Sequence, residues 1–429
     1  MTTASRDAKA DRTLFPVWQS LTPSSSWHHN TPSAVGCHGL RIEFDDETSA
    51  LDATSGLWNV PLGYGNTVIA EAVHDSLIEA SYLSLFRNTH APAVNAAEAL
   101  LSLGGRHRFR RVVFSTSGGA ANDLAMKLVR QRSMLLREPR RTIVVGLQGS
   151  YHGLTYGSMS LSGDNLGQSV YGSDQRNVRH VTPHDGGAQL RRLMAREGGR
   201  VAALVVEPVL GSGAFALADE FLATIGELRE TCGFLVVADE VATGFGRTGT
   251  LFGSDRWPFD PDIMLLSKAL TNGTCAAAAA LVSPHITAAF DDSDAVFVHA
   301  ETQAGTPATC AAIIATINEF DRLDAVRRAA ELSWEMDNSI ERLNTHRLVV
   351  GSRGRGCFRA VMLGRDGRDL TQVEVAAVVA AVRTAGAVVQ PGPSCIQLIP
   401  AFLFERSHLY EIEAAVTDGL DILERYEEL

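Results

Sequence analysis

FLVVADEVATGFGRTG (234–249) is an apolar run that stops abruptly at Asp239-Glu240 and gives way to a glycine-punctuated turn. Twenty-nine residues beyond Asp239 comes Lys268, at the end of a second apolar run, DIMLLSK (262–268). In an α/β fold, strands of this kind deliver the side chains at their ends into a cleft. A carboxylate and an amine would then share one site.

The flanking sequence supports that architecture. RVVFS (111–115), TIVVG (142–146) and VAALVVEP (201–208) are further Val-rich runs. Helical patterns separate them, one through NDLAMKLVRQRSMLL (122–136) and another over 220–231. Short strands that are apolar on both faces predict a mainly parallel sheet covered by helices on each side. Beyond about 308 the character changes. Amphipathic helices are expected over ATCAAIIATINEF (308–320) and 325–343, then a strand at 358–363, a helix at 371–385, a strand near 396–399 and a helix at 408–426. GLRIEFDD (39–46) reads as a strand or hairpin arm, and residues 1–35, rich in Ser, Thr, Pro and His, as a loose arm.

Composition narrows the function classes. Of 429 residues, 45% are apolar and 20% charged, which suits a chain with a substantial core. The formal net charge of -11 argues against a general nucleic-acid or anionic-membrane surface. The six cysteines are scattered, with neither a zinc-site spacing nor a disulfide framework, so no metal is expected. The N-terminal MTTASRDAKADRT lacks an apolar h-region, and CAAAAALV (275–282) is too short to span a bilayer. A reducing cytoplasm is the expected compartment.

A strand-end lysine paired with a strand-end aspartate is the pair that pyridoxal phosphate requires. Lys268 would serve as Schiff-base nucleophile and general base, and Asp239 as the partner that keeps the pyridinium nitrogen protonated. Ser117-Gly118-Gly119, at the mouth of a helix, would let backbone N–H groups approach a phosphate.

Taken together and in order, these motifs resemble the class III (ω-) aminotransferases, of the fold-type I pyridoxal-phosphate superfamily. The resemblance covers roughly residues 39–425. GLWNVPLGYGNTVIAEAV (56–73) is similar to the family's entry segment, with Trp58 as a pocket aromatic. FSTSGGAANDLAMKLVR (114–130) matches the phosphate loop, and SYHGLTYGSMSLSG (150–163) carries Tyr151, which would cover the cofactor ring, followed by His152. EPVLGSG (207–213) supplies Glu207 as a support, and ADEVATGFGRTG (238–249) supplies Asp239 and Val241, the latter against the opposite ring face. HAETQAGTPATCAA (299–312) places Thr302 where the family's threonine reaches the neighbouring subunit's phosphate. The resemblance thus implies an α/β fold-type I transferase. Its expected parts are an arm with part of the small domain (1–59), a large cofactor domain (60–307) and a small α+β domain (308–429). A homodimer with shared active sites is implied as well.

The departures concern substrate. The family's phosphate loop usually reads SG(S/T)EA, whereas Gly119-Ala120 here loses a hydroxyl donor. Members that act on amino acids commonly hold the carboxylate with an arginine, in segments resembling AGAVVQPGPS (385–394) or CIQLIPA (395–401). This chain has Gln390 and Gln397 there, and Ser212 where the second arginine's glutamate partner would fall. The expectation is an aminotransferase whose ketone or aldehyde acceptor lacks an α-carboxylate, a small molecule or a modified peptide C-terminus as in daptide-type maturation. Arg87, Arg353 or Arg355 remain alternative carboxylate contacts. An aminomutase or racemase, or a non-catalytic cofactor-binding scaffold, are the competing functions.

Overall fold

Seven strands form the central sheet of the computed structural model, which describes residues 17–23 and 32–425. Their order is Arg111–Ser115, Ala278–Val282, Ile263–Leu266, Leu235–Asp239, Val201–Val206, Ile143–Leu147 and Val178–Val181. The five from Ile263–Leu266 to Val178–Val181 pair in parallel, whereas Ala278–Val282 runs antiparallel to both of its neighbours. That strand lies in the small-residue stretch 275–282, which sequence reading left without an element.

Alternation along the central strands explains their unbroken apolar sequences. Ala203, Val205, Leu235 and Val237 face a cluster that includes Ala121, Leu124 and Leu128 of the helix Gly118–Leu135. Leu204, Val206, Val236 and Ala238 face the other side, against the helices Ala188–Glu197 and Asp219–Cys232. Full burial of each such Val or Leu contributes roughly 1.5–3 kcal/mol, which fixes the sheet firmly beneath whatever its strand ends carry.

A second sheet, in the order Val349–Arg355, Phe358–Arg365, Cys395–Leu398 and Gln390–Gly392, is covered by the helices Ala325–Leu343, Gln372–Thr384 and Arg406–Arg425. The hairpin Ala34–His38 and Arg41–Phe44 continues into Ser49–Asp52, which pairs in parallel with Ala387–Val388. The early segment is thereby stitched to the late one, and Arg41 reinforces the seam by an ion pair to Glu411 at 2.5 Å. Of the expected arm over 1–35, residues 1–16 and 24–31 lie outside the described residues. Among the described residues, no helix is long and apolar enough to cross a membrane.

Candidate active site

Five strand ends converge on one edge of the large sheet. Arg111–Ser115 leads into Ser117-Gly118-Gly119, and Ile143–Leu147 leads into Tyr151-His152. Val201–Val206 is followed by Glu207, Leu235–Asp239 terminates in Asp239, and Ile263–Leu266 is followed after one residue by Lys268. The edge where parallel strands end is where α/β proteins bind ligands.

Asp239 is the most heavily engaged of these groups. It is buried, and its Oδ2 accepts from Asn122 Nδ2 at 2.8 Å and from His152 Nδ1 at 2.7 Å. Among the described residues, Oδ1 accepts only from the Val241 backbone N–H, at 3.1 Å, which leaves capacity for one further donor. His152 is itself buried. Burial disfavours its imidazolium, but the hydrogen bond to Asp239 and that residue's charge outweigh it, so its pKa is raised. Asn122 lies one helical turn beyond Gly118 and also donates to that residue's carbonyl. Sequence reading missed Asn122; the available signal was its i, i+4 spacing from a loop glycine.

Lys268 opens a short 3₁₀ turn with φ +47°, a left-handed conformation that breaks the strand and turns its side chain into the cleft. Its Nζ makes no hydrogen bond among the described residues and lies 4.4 Å from the centre of the Trp58 ring. Burial draws the ammonium down to about 8, against the pull of Asp239 and Glu207. Glu207 is buried, accepts from the Tyr151 and Gly211 N–H groups at 3.0 Å each, and is pushed up by burial to about 7.

Lys268 yields a prediction that needs no cofactor. Between about pH 8 and 10.5 the unfolded lysine keeps its proton while the folded one has lost it. The unfolded state then binds more protons, so stability rises with pH across that window. Relative to Lys268→Met, the wild-type apoenzyme is expected to gain up to about 3 kcal/mol on going from pH 8 to 10.5. Melting temperatures of the two proteins measured in parallel check this; curves that stay parallel would show that Lys268 is not buried in the apoenzyme.

Trp58 reaches the lysine through an unusual turn. Ser55, Gly56, Leu57 and Trp58 have φ of 45°, 62°, 54° and 71°. Left-handed backbone costs a non-glycine residue roughly 1–2 kcal/mol, and three of these four carry side chains. The turn is held from beneath. Asp52 accepts from the N–H groups of Thr54 (2.7 Å) and Gly56 (2.6 Å) and from the Tyr64 hydroxyl (2.6 Å). Ser55 Oγ donates to the Ile399 carbonyl at 2.7 Å and accepts from Arg247 Nη2 at 2.5 Å. Arg247 is fully buried, donates to the Pro400 carbonyl at 2.6 Å and lies 5.0 Å from the Phe402 ring. Burial lowers its guanidinium to about 10. Sequence reading gave neither Asp52 nor Arg247 a role.

The loop at 117–119 is built for close backbone approach. Ser117 caps the following helix, its Oγ accepting from Ala120 N–H at 3.2 Å. A Cβ on Gly118 would meet Val241 Cγ1 at 2.8 Å, so Val241 packs directly against the loop. A Cβ on Gly153 would meet the Gly119 Cα at 2.5 Å. Gly119 itself faces the Ser158 and Thr155 hydroxyls at ordinary contact distance, and these two hydroxyls bond each other at 2.9 Å.

The model of the class-III aminotransferase family matches residues 25–420. The chain belongs to that family. It is 27% identical to the omega-amino acid–pyruvate aminotransferase of Pseudomonas putida over 431 residues, 95% of each chain. It is 30% identical to the acetylornithine aminotransferase of Mycobacterium leprae over 413 residues, again 95% of each. Among solved structures, an amine transaminase from an uncultivated Pseudomonas species, with pyridoxal phosphate bound, superposes with a TM-score of 0.90 at 25% identity, covering 95% of this chain and 98% of that one. The chain is therefore a class III aminotransferase, dependent on pyridoxal phosphate, and its fold is that of the fold-type I transaminases.

The remaining expected residues of this aminotransferase fall into two groups. Tyr151 borders the Asp239 network and stays partly open to solvent, 39% exposed. Gln397 is buried and donates through Nε2 to the Gly211 carbonyl at 2.8 Å, while Gln390 is its cross-strand partner. Arg353 is engaged as well, Nε donating to the Gly213 carbonyl at 2.5 Å. Thr302 and Arg87 are exposed, and Thr302 presents its carbonyl to the Tyr82 hydroxyl at 3.0 Å.

Proposed function

We propose that this aminotransferase moves an amino group from an amine or amino-acid donor to a ketone or aldehyde lacking an α-carboxylate, the carbonyl at a modified peptide C-terminus among them. Bound pyridoxal phosphate supplies the electron sink and carries the amino group. The chain's own groups do the rest. Asp239 Oδ1 would accept a hydrogen bond from the protonated ring nitrogen and stabilise its positive charge, with His152 and Asn122 fixing the carboxylate. Lys268 Nζ would hold the cofactor and, when free, would serve as the general base and acid. Ser117, Gly118 and Gly119 would receive the phosphate and Tyr151 and Val241 would flank the ring, while Glu207 braces Tyr151 through its N–H. Trp58 walls the substrate side of Lys268. Two copies of the chain form the working unit, Thr302 of each completing the other's phosphate site.

The substrate class rests chiefly on one observation: the amide of Gln397 is spent on a backbone carbonyl, in a strand pair whose other polar residue, Gln390, is also uncharged. No guanidinium at either position forms the bidentate fork that a carboxylate requires. Arg353, the nearby alternative, spends Nε on the Gly213 carbonyl but has further guanidinium N–H donors, so Arg353→Ala belongs in the same test. Arg87 is the exposed basic group against which this reading must be tested.

Conversion of the cofactor absorbance by a panel of donors, with and without an α-carboxylate, makes that test. Carboxylate-free amines are expected to react at least as fast as amino acids in the wild type. Gln390→Arg is expected to lower KM for amino-acid donors about tenfold or more, the value of one charge-assisted contact. Amino acids that already react fastest in the wild type, and lose that advantage in Arg87→Ala, would overturn the substrate assignment and give the contact to Arg87.

A further inference from the structure

Beside the cofactor loop sits a carboxylate that the proposed chemistry does not use. Glu301 Oε1 accepts from the Ser115 hydroxyl at 2.5 Å; Oε2 accepts from the Thr116 backbone N–H at 3.0 Å and also from the Thr116 hydroxyl. Its sequence distance from these partners is 185 to 186 residues, so the contact staples two remote segments. One is the end of the strand Arg111–Ser115, directly before Ser117-Gly118-Gly119. The other is the segment that carries Thr302.

We propose that Glu301 is a positioning residue that locks the phosphate loop of its own chain to the segment presenting Thr302 to the neighbouring chain. A carboxylate that takes a backbone N–H sets the orientation of that peptide plane, and through it the angle at which Ser117 leaves the strand. Ser117 then enters its capping conformation (φ −158°, ψ 160°) with the loop N–H groups aligned. On the other side, Thr302 follows Glu301 immediately and is pinned by Tyr82 through its carbonyl, while the residue stays exposed. Both halves of a phosphate site that spans two chains are thus set by one side chain. Such a brace matters most where the loop itself is poor in donors, as here, with glycine and alanine at 119 and 120.

Surrounding charges are compatible with this role. His299 Nε2 lies 3.4 Å from Glu301 Oε1 without completing a hydrogen bond, and its ring stacks on Phe297 at 5.7 Å. Lys127 Nζ is 3.3 Å from His299 Nδ1 and donates to the Val298 carbonyl at 2.7 Å. With three donors on its two oxygens, the carboxylate is held in place rather than free to swing toward an anion.

The inference rests on the proposed cofactor site, and the test separates the two. Apoenzyme, wild type and Glu301→Ala, is titrated with pyridoxal phosphate and, separately, with pyridoxal, which lacks the phosphate, while the lysine-dependent absorbance band is followed. Glu301→Ala is expected to weaken pyridoxal phosphate binding by about tenfold or more, the scale of losing charge-assisted hydrogen bonds. Pyridoxal affinity should change less than about twofold, and the apoenzyme should keep its wild-type mass in solution. Glu301→Gln, with one acceptor oxygen left, should recover part of the loss. Equal weakening of both ligands, no weakening, tighter binding of pyridoxal phosphate or a change in mass would each overturn the proposal. If Glu301→Ala does not fold, the Ser115→Ala/Thr116→Val double variant removes two of the three donors and must show the same phosphate-selective loss, or the proposal fails. A wild type that forms no lysine-dependent band overturns the cofactor site itself, an outcome distinct from all of these.

Discussion

Replacing Lys268 with alanine is expected to remove the lysine-dependent absorbance band and to lower turnover by about 10⁴-fold or more, since in the proposed function the group serves both as nucleophile and as proton carrier. The chain has unusually few amines to take its place. It contains three lysines, Lys9, Lys127 and Lys268, against 35 arginines. Lys127 is committed to the Val298 carbonyl and to His299, and an arginine remains protonated and so is no nucleophile. Reduction of the wild-type holoenzyme with borohydride should therefore tag one peptide, that containing Lys268, in mass spectra. The variant should still fold, because the lost ammonium is desolvated and makes no hydrogen bond among the described residues, and its apoenzyme should melt no lower than the wild type at neutral pH. Turnover retained above about 1% of wild type would exceed what proton transfer through water supports and would remove Lys268 from the mechanism.

The two residues with the largest expected effects are also the two most legible in the sequence, for a shared reason. Asp239 and Lys268 interrupt apolar strands, so their polarity stands out against a continuous buried run. The sheet was legible on the same grounds: fully buried strands must be covered on both faces, and helical patterns occupy the gaps. Ala278–Val282 was not, because alanine carries little strand preference and an antiparallel member leaves no mark in the local pattern. The supporting groups of the site were hidden differently. Asn122 lies inside a helix that carries several other polar residues, so nothing in the local pattern singles it out, and Glu301 meets partners far away in the chain. Arg247 sits within a glycine-rich turn, where an arginine ordinarily reads as exposed, yet it is among the largest fully buried side chains. Contacts of this kind come into being only when the fold brings distant segments together.

Asp239→Asn tests the other half of the chemistry, and its loss is expected to be about 10²–10³-fold in the single-turnover rate of cofactor conversion, some 3–4 kcal/mol of transition-state stabilisation. A carboxamide at this position must fit among three existing donors. Asp239 now accepts from Asn122, His152 and the Val241 N–H. An asparagine has one acceptor oxygen, so its NH₂ must face one side of that set. The least costly arrangement points the oxygen at Val241 and the cofactor ring, and the NH₂ at His152 and at Asn122, whose amide must turn so that its unpartnered Oδ1 accepts. His152 can adapt: its raised pKa depends on the Asp239 carboxylate, and without that charge burial prevails and the imidazole turns neutral, with Nδ1 able to accept. The fold then survives, and what disappears is the negative charge at the ring nitrogen. Binding of pyridoxal phosphate should weaken modestly while the rate falls steeply, and donors with more acidic Cα–H bonds should suffer less because they need the electron sink least. A variant that retains the wild-type rate with every donor would mean that Asp239 serves only to hold His152 and Asn122, and that another group protonates the ring.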